Sequence, residues 1–239
     1  MLKMTGFCNK IAQICYFILN FLSPYKESPC IMPAMKIAID GPAGSGKSTI
    51  AKLLAQKLGF KHIDTGAYYR WVTHNVLKSG VSLKDEATII RTAEQTDFSK
   101  IDETKIRTQE VSSSVSIISA IPAVRRCVVA QQRVAGMKFD IVMEGRDIGS
   151  VVFPNAELKI FLTASVEERA RRRYQELLDK GETVDLVNIQ REIARRDHLD
   201  STRNASPLLK TADAVEIDTT GLTIEQVVEK IMYLKTQIK

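Results

Sequence analysis

Metal-ligand spacings, a disulfide framework and membrane-length apolar runs are all missing from this 239-residue chain. Its four cysteines, Cys8, Cys15, Cys30 and Cys127, form no C-x-x-C pair, which argues against structural zinc and against a disulfide scaffold. The three histidines, His62, His74 and His198, stand in no ligand spacing. No apolar run reaches the roughly 18 residues that a spanning helix needs. No internal repeat or low-complexity tract is evident, and no basic stretch is interleaved with aromatics as a nucleic-acid groove would require. What remains is 44% apolar and 26% charged, enough for one sizeable core and too apolar for wholesale disorder. The length fits one domain or one domain with an insertion. A formal charge of +6 favours anionic partners without saying which.

Residues 1–34 read unlike the rest. They hold three of the four cysteines, three lysines, one glutamate, and an apolar stretch Ile11–Leu22 broken by Gln13 and Asn20. A basic start followed by such a run resembles a signal peptide. Against that, no small-x-small site precedes Met35, and Pro24, Pro29 and Pro33 interrupt the segment. The expectation is a non-structural leader ahead of a second methionine, with a targeting or membrane-surface role as the alternative. Without it, residues 35–239 carry 31 basic and 27 acidic side chains, a balance of +4.

From Met35 onward, short apolar runs alternate with helical patterns. Lys36–Asp40, Phe60–Asp64, Ile141–Met143, Leu158–Leu162 and Ala214–Ile217 are of strand length. Ser48–Leu58 places Ile50, Leu53, Leu54 and Leu58 on one helical face and stops at Gly59. Ser165-Val-Glu-Glu168 and Thr223-Ile-Glu-Gln226 read as capping boxes that open helices Glu167–Lys180 and Glu225–Ile238. This alternation predicts an α/β fold, a five-stranded parallel sheet with flanking helices. Between Gly80 and Gly136 the pattern changes: Leu83–Gln95 and Pro122–Ala135 look helical, while the serine-rich Ser112–Ser119 is less clear. Residues 81–135 are therefore expected to form an insertion on the core.

Gly41-Pro42-Ala43-Gly44-Ser45-Gly46-Lys47-Ser48 satisfies G-x-x-x-x-G-K-S/T, with a strand before it and an amphipathic helix after it. Such a loop turns its N–H groups toward phosphate oxygens at the positive end of the helix. Lys47 would reach the β- and γ-phosphates, and the Ser48 hydroxyl would ligate Mg²⁺. The bland alternative is a chance glycine-rich turn. Asn9-Lys10 is followed by Ile-Ala, so the N-K-x-D guanine motif is absent and a GTPase is disfavoured. The loop, with Thr49 after it, looks like those of nucleoside-monophosphate and small-metabolite kinases.

Three further segments place arginine and carboxylate where an α/β fold puts strand ends and loops. They are Asp64–Arg70, Glu144–Gly149, and Arg195–Asp200 with Arg203. Each has a bland reading: Asp64 as a helix cap, Arg146–Asp147 as a local salt bridge. Taken together, IDGPAGSGKST (39–49), IDTGAYYR (63–70), IRTQEVSSSVS (106–116), EGRDIGSVVFP (144–154) and KIFLTAS (159–165) resemble the bacterial cytidylate kinase family. The similarity runs from Met35 to the C-terminus in the family's order.

The resemblance implies an adenylate-kinase-like core, ATP as donor with Mg²⁺, and CMP or dCMP as acceptor. By motif, Ser116, Arg125 and Asp147 match residues that read the cytosine ring. Arg70, Arg146 and Arg203 match those holding the acceptor phosphate, and Asp200 the sugar contact; Thr65 and Tyr69 lie in the same acceptor motif. Lys47, Arg146 and Arg203 are the residues to which it gives catalytic roles, with residues 41–49 holding the donor. Residues 163–182 correspond to a mobile lid in which Arg169, Arg171, Arg172 and Arg173 include phosphate binders. A monomeric cytoplasmic enzyme with no nucleic-acid or membrane partner is expected. The chain departs from the pattern where many members have aspartate in place of Glu144 and some have serine in place of Thr65. Asp97–Ile106 is also too short for the three-stranded antiparallel sheet that longer members carry in the insertion.

Two rival readings differ in what they predict. A P-loop kinase for UMP or a non-nucleotide acceptor would turn over those substrates instead. A P-loop ATPase acting on nucleic acid would show stimulation by DNA or RNA that falls steeply with salt. In the helix Val187–Arg196, Arg191 reads as surface and Arg196 as turned inward; Trp71 reads as core packing.

Overall fold

The computed structural model describes residues 34–238, so the expected leader lies outside the described residues but for Ala34. Five strands form one sheet: β1 (Lys36–Asp40), β2 (Lys61–Asp64), β3 (Ile141–Gly145), β4 (Leu158–Thr163) and β5 (Val215–Asp218). All neighbours are parallel and the order is β2-β3-β1-β4-β5. The central strands β3, β1 and β4 are covered on both faces and read as short apolar runs, whereas the edge strands β2 and β5 are partly exposed. Side chains alternate between the faces. Ile37, Ile39, Val142, Ile160, Leu162 and Ile217 pack under α1 (Lys47–Leu58) and α8 (Ile224–Thr236) through Ile50, Leu54, Val228 and Ile231. On the other face Ala38, Ile63, Ile141 and Met143 meet Val129 of α5 (Pro122–Gly136).

The chain leaves β1 for β2 on one side and returns through β3 to β4 on the other, so β1 lies at the reversal of strand order. In open α/β sheets the ligand crevice forms at the carboxyl ends beside such a switch point. The segments after β1, β2, β3 and β4 all emerge at that edge.

The predicted insertion is helical. After α2 (Thr65–Lys78) come α3 (Glu86–Gln95) and α4 (Gln109–Ala120), which with α5 enclose a second core of Val72, Val76, Ile89, Val115, Ile118, Val124 and Val128. The serine-rich stretch that the sequence leaves unclear is α4, capped by the Thr108 side chain on Val111 N–H. Residues 97–107 hold two 3₁₀ turns, Phe98–Lys100 and Lys105–Arg107, and no strand. After β4, α6 (Val166–Asp179) packs on α7 (Leu186–Thr202) through Ala170, Leu177, Ile189 and Ile193. Among the described residues no single helix is long and apolar enough to cross a membrane.

Candidate active site at the strand carboxyl ends

The glycine-rich loop follows β1 without slack. Gly41 has φ +152°, and a Cβ there would lie 2.0 Å from the Leu162 carbonyl oxygen, so the loop can pass β4 only without a side chain. Helix α1 begins at Lys47, and its first N–H groups have no carbonyl within the helix to bond. The Lys47 ammonium is buried, donating to the Pro42 carbonyl at 2.5 Å and to Ser45 Oγ at 3.2 Å. Burial, with the guanidiniums of Arg146 and Arg196 nearby, pushes its pKa well down, although Glu144 and Asp40 oppose this. The Ser48 hydroxyl donates to Glu144 Oε2 at 2.6 Å.

Strand β3 ends in the segment that gathers the rest. Glu144 is 3% exposed, and its carbonyl accepts the Thr65 hydroxyl at 2.6 Å. Thr65 is therefore turned into the β2–β3 join. Past Gly145 the chain makes a single π-helical turn, Ile148–Val152, a geometry that often marks functional sites. Asp40 fixes its start: Oδ1 accepts from Ile148 N–H at 2.9 Å and Oδ2 from Gly149 N–H at 2.8 Å.

The turn splays Arg146 and Asp147 apart, so the bland alternative of a local salt bridge between them gives way to two long-range pairs. Arg146 Nε donates to Asp200 Oδ2 at 2.9 Å, which joins β3 to α7. Asp147 Oδ2 accepts from Arg125 Nη2 at 2.5 Å, with both side chains about 5% exposed or less. Arg125 also donates to the Ser119 carbonyl and lies 5.0 Å over the Tyr69 ring, a cation–π contact. Tyr69 is buried, and burial beside the Asp147 carboxylate raises its phenol. Arg203 donates to the Ser206 carbonyl at 2.7 Å and lies 3.5 Å from Asp200 Oδ1. Burial would raise the Asp200 carboxyl, but Arg146 and Arg196 outweigh it and hold it below its ordinary range.

Arg70 stands near this group: burial lowers its pKa, as do the charges of Arg107, Arg146 and Arg173. Arg196 is turned inward as the sequence suggests, its pKa lowered to about 10 by burial and by Arg146, whereas Arg191 is exposed. Ser116 is half-buried on α4, with its carbonyl accepting Ser119 Oγ at 3.3 Å. Asp64 does cap α2, accepting from Ala67 N–H, and it also pairs with Arg107 at 3.4 Å. Of the four arginines on α6, Arg169 is buried against the glycine-rich loop. It donates to the Ala43 and Ala164 carbonyls and pairs with Asp197 of α7 at 2.6 Å. Arg172 bonds Thr219 in the loop after β5, while Arg171 and Arg173 lie mostly in solvent, paired with Glu168 and Glu176.

Seven buried side-chain polar atoms among the described residues have no hydrogen-bond partner, and five belong to this cluster: Tyr69 Oη, Arg125 Nε, Arg196 Nε, Arg203 Nη2 and Asp197 Oδ1. Four of the five are donors. Buried polar atoms are normally satisfied, and donors concentrated among cationic side chains suit a ligand rich in oxygen and negative charge. Among the described residues no group of three or more His, Cys, Asp or Glu is placed to hold a metal ion by itself. The Ser48 hydroxyl with Glu144 behind it is nonetheless a hard-oxygen site of the kind that Mg²⁺ uses when substrate phosphates and water supply the other ligands.

Asp40, His62 and Arg107 are participants that motif reading passes over. A charge closing the apolar run Lys36–Asp40 is the signal that could have found Asp40. Arg107 lies in the 106–116 segment and pairs locally with Glu103, but its contact with Asp64, 43 residues away, and that of His62 with Glu144, 82 residues away, leave no signal in spacing.

The sequence profile described as cytidylate kinase matches residues 37–237. A cytidylate kinase of Clostridioides difficile (strain 630) is 49% identical over 211 residues, 84% of this chain and 98% of that protein. One of Carboxydothermus hydrogenoformans is 51% identical over 212 residues, covering 83% and 96%. A solved shikimate kinase from Acinetobacter baumannii in complex with shikimate aligns at TM-score 0.44 and 17% identity, over 86% of this chain and 96% of that one. The motifs, the parallel sheet and relatives half identical along nearly their whole length agree: the chain belongs to the cytidylate kinase family.

Proposed function

We propose that at the strand carboxyl ends, between the glycine-rich loop and the Tyr69–Arg125–Arg203 cluster, the phosphate of CMP or dCMP meets the γ-phosphate of ATP. Membership of the family makes the chain an ATP-dependent CMP kinase. The observation that carries the placement is the set of unpartnered buried donors on Tyr69, Arg125, Arg196 and Arg203. A nucleotide phosphate and a pyrimidine ring supply acceptors of the kind they lack.

The chemistry asks little of a general base. A nucleoside monophosphate has a second pKa of roughly 6, so its attacking oxygen is already mostly ionised at neutral pH. The work is to bring two polyanions into line and to neutralise them, through positioning and preorganised charge. Lys47 serves the donor phosphates. Arg70, Arg146 and Arg203 hold the acceptor phosphate with planar forks that keep their charge when buried. Mg²⁺, held on the protein side by Ser48, would supply charge neutralisation at the donor phosphates. Asp200 takes the sugar, while Asp147, Arg125 and Ser116 read the ring. Cytosine offers an exocyclic amine where uracil offers an acceptor, so a fixed carboxylate favours the first and repels the second.

Residues 81–135 act in this reading as the acceptor-binding insertion and residues 163–182 as the lid. The enzyme works as a cytoplasmic monomer, without nucleic acid or membrane. ADP release by the full chain with ATP, Mg²⁺ and each of CMP, dCMP, UMP and AMP tests the reading. Fast turnover with CMP and dCMP alone is expected. Turnover that prefers UMP or AMP would overturn the cytosine assignments and leave a P-loop kinase of another acceptor.

A further inference from the structure

Glu144 is buried near the end of β3, and its carboxylate is held at both oxygens. Oε2 accepts the Ser48 hydroxyl at 2.6 Å, and Oε1 lies 3.0 Å from His62 Nε2. A carboxylate can only accept, so the proton of that second bond is on the imidazole nitrogen. His62 and Asp64 of β2 share a sheet face with Val142 and Glu144 of β3, since Asp64 pairs with Glu144 and His62 with Val142 in the parallel register. Helix α1 covers the same face, which brings Ser48 to the carboxylate from above. The glutamate is 4% exposed and the imidazole 26%, so the pair is well sheltered.

We infer that His62 is a positioning residue for the cation site: it fixes Glu144 so that the carboxylate keeps the Ser48 proton and leaves the hydroxyl lone pairs facing the donor phosphates. A hydroxyl that donates to a buried carboxylate is oriented, and an oriented oxygen binds a hard cation without first losing rotational freedom. Partners standing behind a metal ligand commonly change metal affinity by about 10–100-fold. Without the imidazole a glutamate has one more rotatable bond than aspartate and no second anchor. It can then swing away from Ser48 toward Lys47, whose charge attracts it. The inference rests on the reading that Ser48 serves Mg²⁺.

The test is calorimetric and needs no turnover. ADP is titrated into the full chain with saturating Mg²⁺ and again with a chelator, and the ratio of the two dissociation constants is the magnesium gain. The wild type is expected to show a clear gain, and His62→Leu to lose about tenfold of it while keeping its affinity for ADP alone. His62→Gln, which restores an N–H near the same place, should recover much of the loss. In a Glu144→Asp background the shorter carboxylate no longer reaches the ring, so His62→Leu should change the gain no further; if the leucine variant folds poorly, Glu144→Asp alone, which leaves His62 in place, should still lose much of the gain. A magnesium gain in His62→Leu equal to that of the wild type would overturn the role of His62 alone. No gain in the wild type would overturn the reading of Ser48 and the inference with it.

Discussion

Asp40 shows how one side chain ties the glycine-rich loop to the turn after β3. It ends β1, directly before the glycine-rich loop, and its carboxylate takes the two N–H groups that start the turn after Asp147. Burial pushes its pKa up to about 6; the two N–H bonds oppose this, the nearby Asp147 charge adds to it, and Lys47 opposes it. The native state therefore keeps this proton over a range where the unfolded chain releases it. Stability from this group is fully present below about pH 4 and is lost as pH rises through about 6. A carboxyl raised that far above its ordinary value contributes about 3 kcal/mol. Urea denaturation of wild type and Asp40→Asn checks this. The difference between the two should move by about 2 kcal/mol between pH 4 and pH 7, in favour of the wild type at the acid end. A difference that stays flat with pH would show that Asp40 does not hold its proton in the fold.

The elements that sequence predicts well are those whose signal is local. All five strands lie within a residue or two of their predicted bounds: the central three are short buried apolar runs, and β2 and β5 each still bury one isoleucine, Ile63 and Ile217. The Thr223–Gln226 capping box is complete, with both reciprocal bonds formed. The Ser165–Glu168 box is half formed, because Glu168 spends its carboxylate on Arg171 and Arg172, and Ser165 N–H goes instead to Thr220. Helix α4 is obscure in sequence because serine competes for turns, yet Val111, Val115 and Ile118 give it one buried face. Backbone constraint separates two glycines of similar appearance. At Gly41 an added Cβ would strike the backbone of β4 at 2.0 Å, while at Gly59 (φ +69°) nothing lies within 4 Å. Gly59→Ala should cost about 1–2 kcal/mol, the left-handed penalty alone. Gly41→Ala should cost more than about 3 kcal/mol and weaken ATP binding, because the loop must move off β4. Thermal denaturation and ATP titration of both variants decide it; equal losses would mean that the loop is not pinned against Leu162.

Across the whole molecule, the site is legible in its parts and hidden in its pairings. The motifs point to Lys47, Arg146, Asp147, Asp200 and Arg203, and the switch point in strand order explains why such distant segments share one edge. Which of them bond each other follows from no spacing: neighbours Arg146 and Asp147 part company for Asp200 and Arg125, 54 and 22 residues away. The charge of the chain is modest, yet Lys47, Arg70, Arg125, Arg146, Arg196 and Arg203 stand together at one edge, with Asp147 and Asp200 paired among them. Burial, and after it mutual repulsion, lowers the pKa of Lys47, Arg70, Arg196 and Arg203, a cost that a bound polyanion relieves. In the proposed reading, base selection falls to Asp147, the carboxylate set among these cations. The decisive comparison is therefore kcat/KM for CMP and for UMP in the full-length wild type and in Asp147→Asn. The wild type should show a large preference for CMP, up to ~10⁴-fold as for other buried polar contacts. In Asp147→Asn, activity on CMP should fall and the preference should narrow at least tenfold, since the new amide can donate to the uracil oxygen. A preference unchanged by the substitution would take base selection away from Asp147.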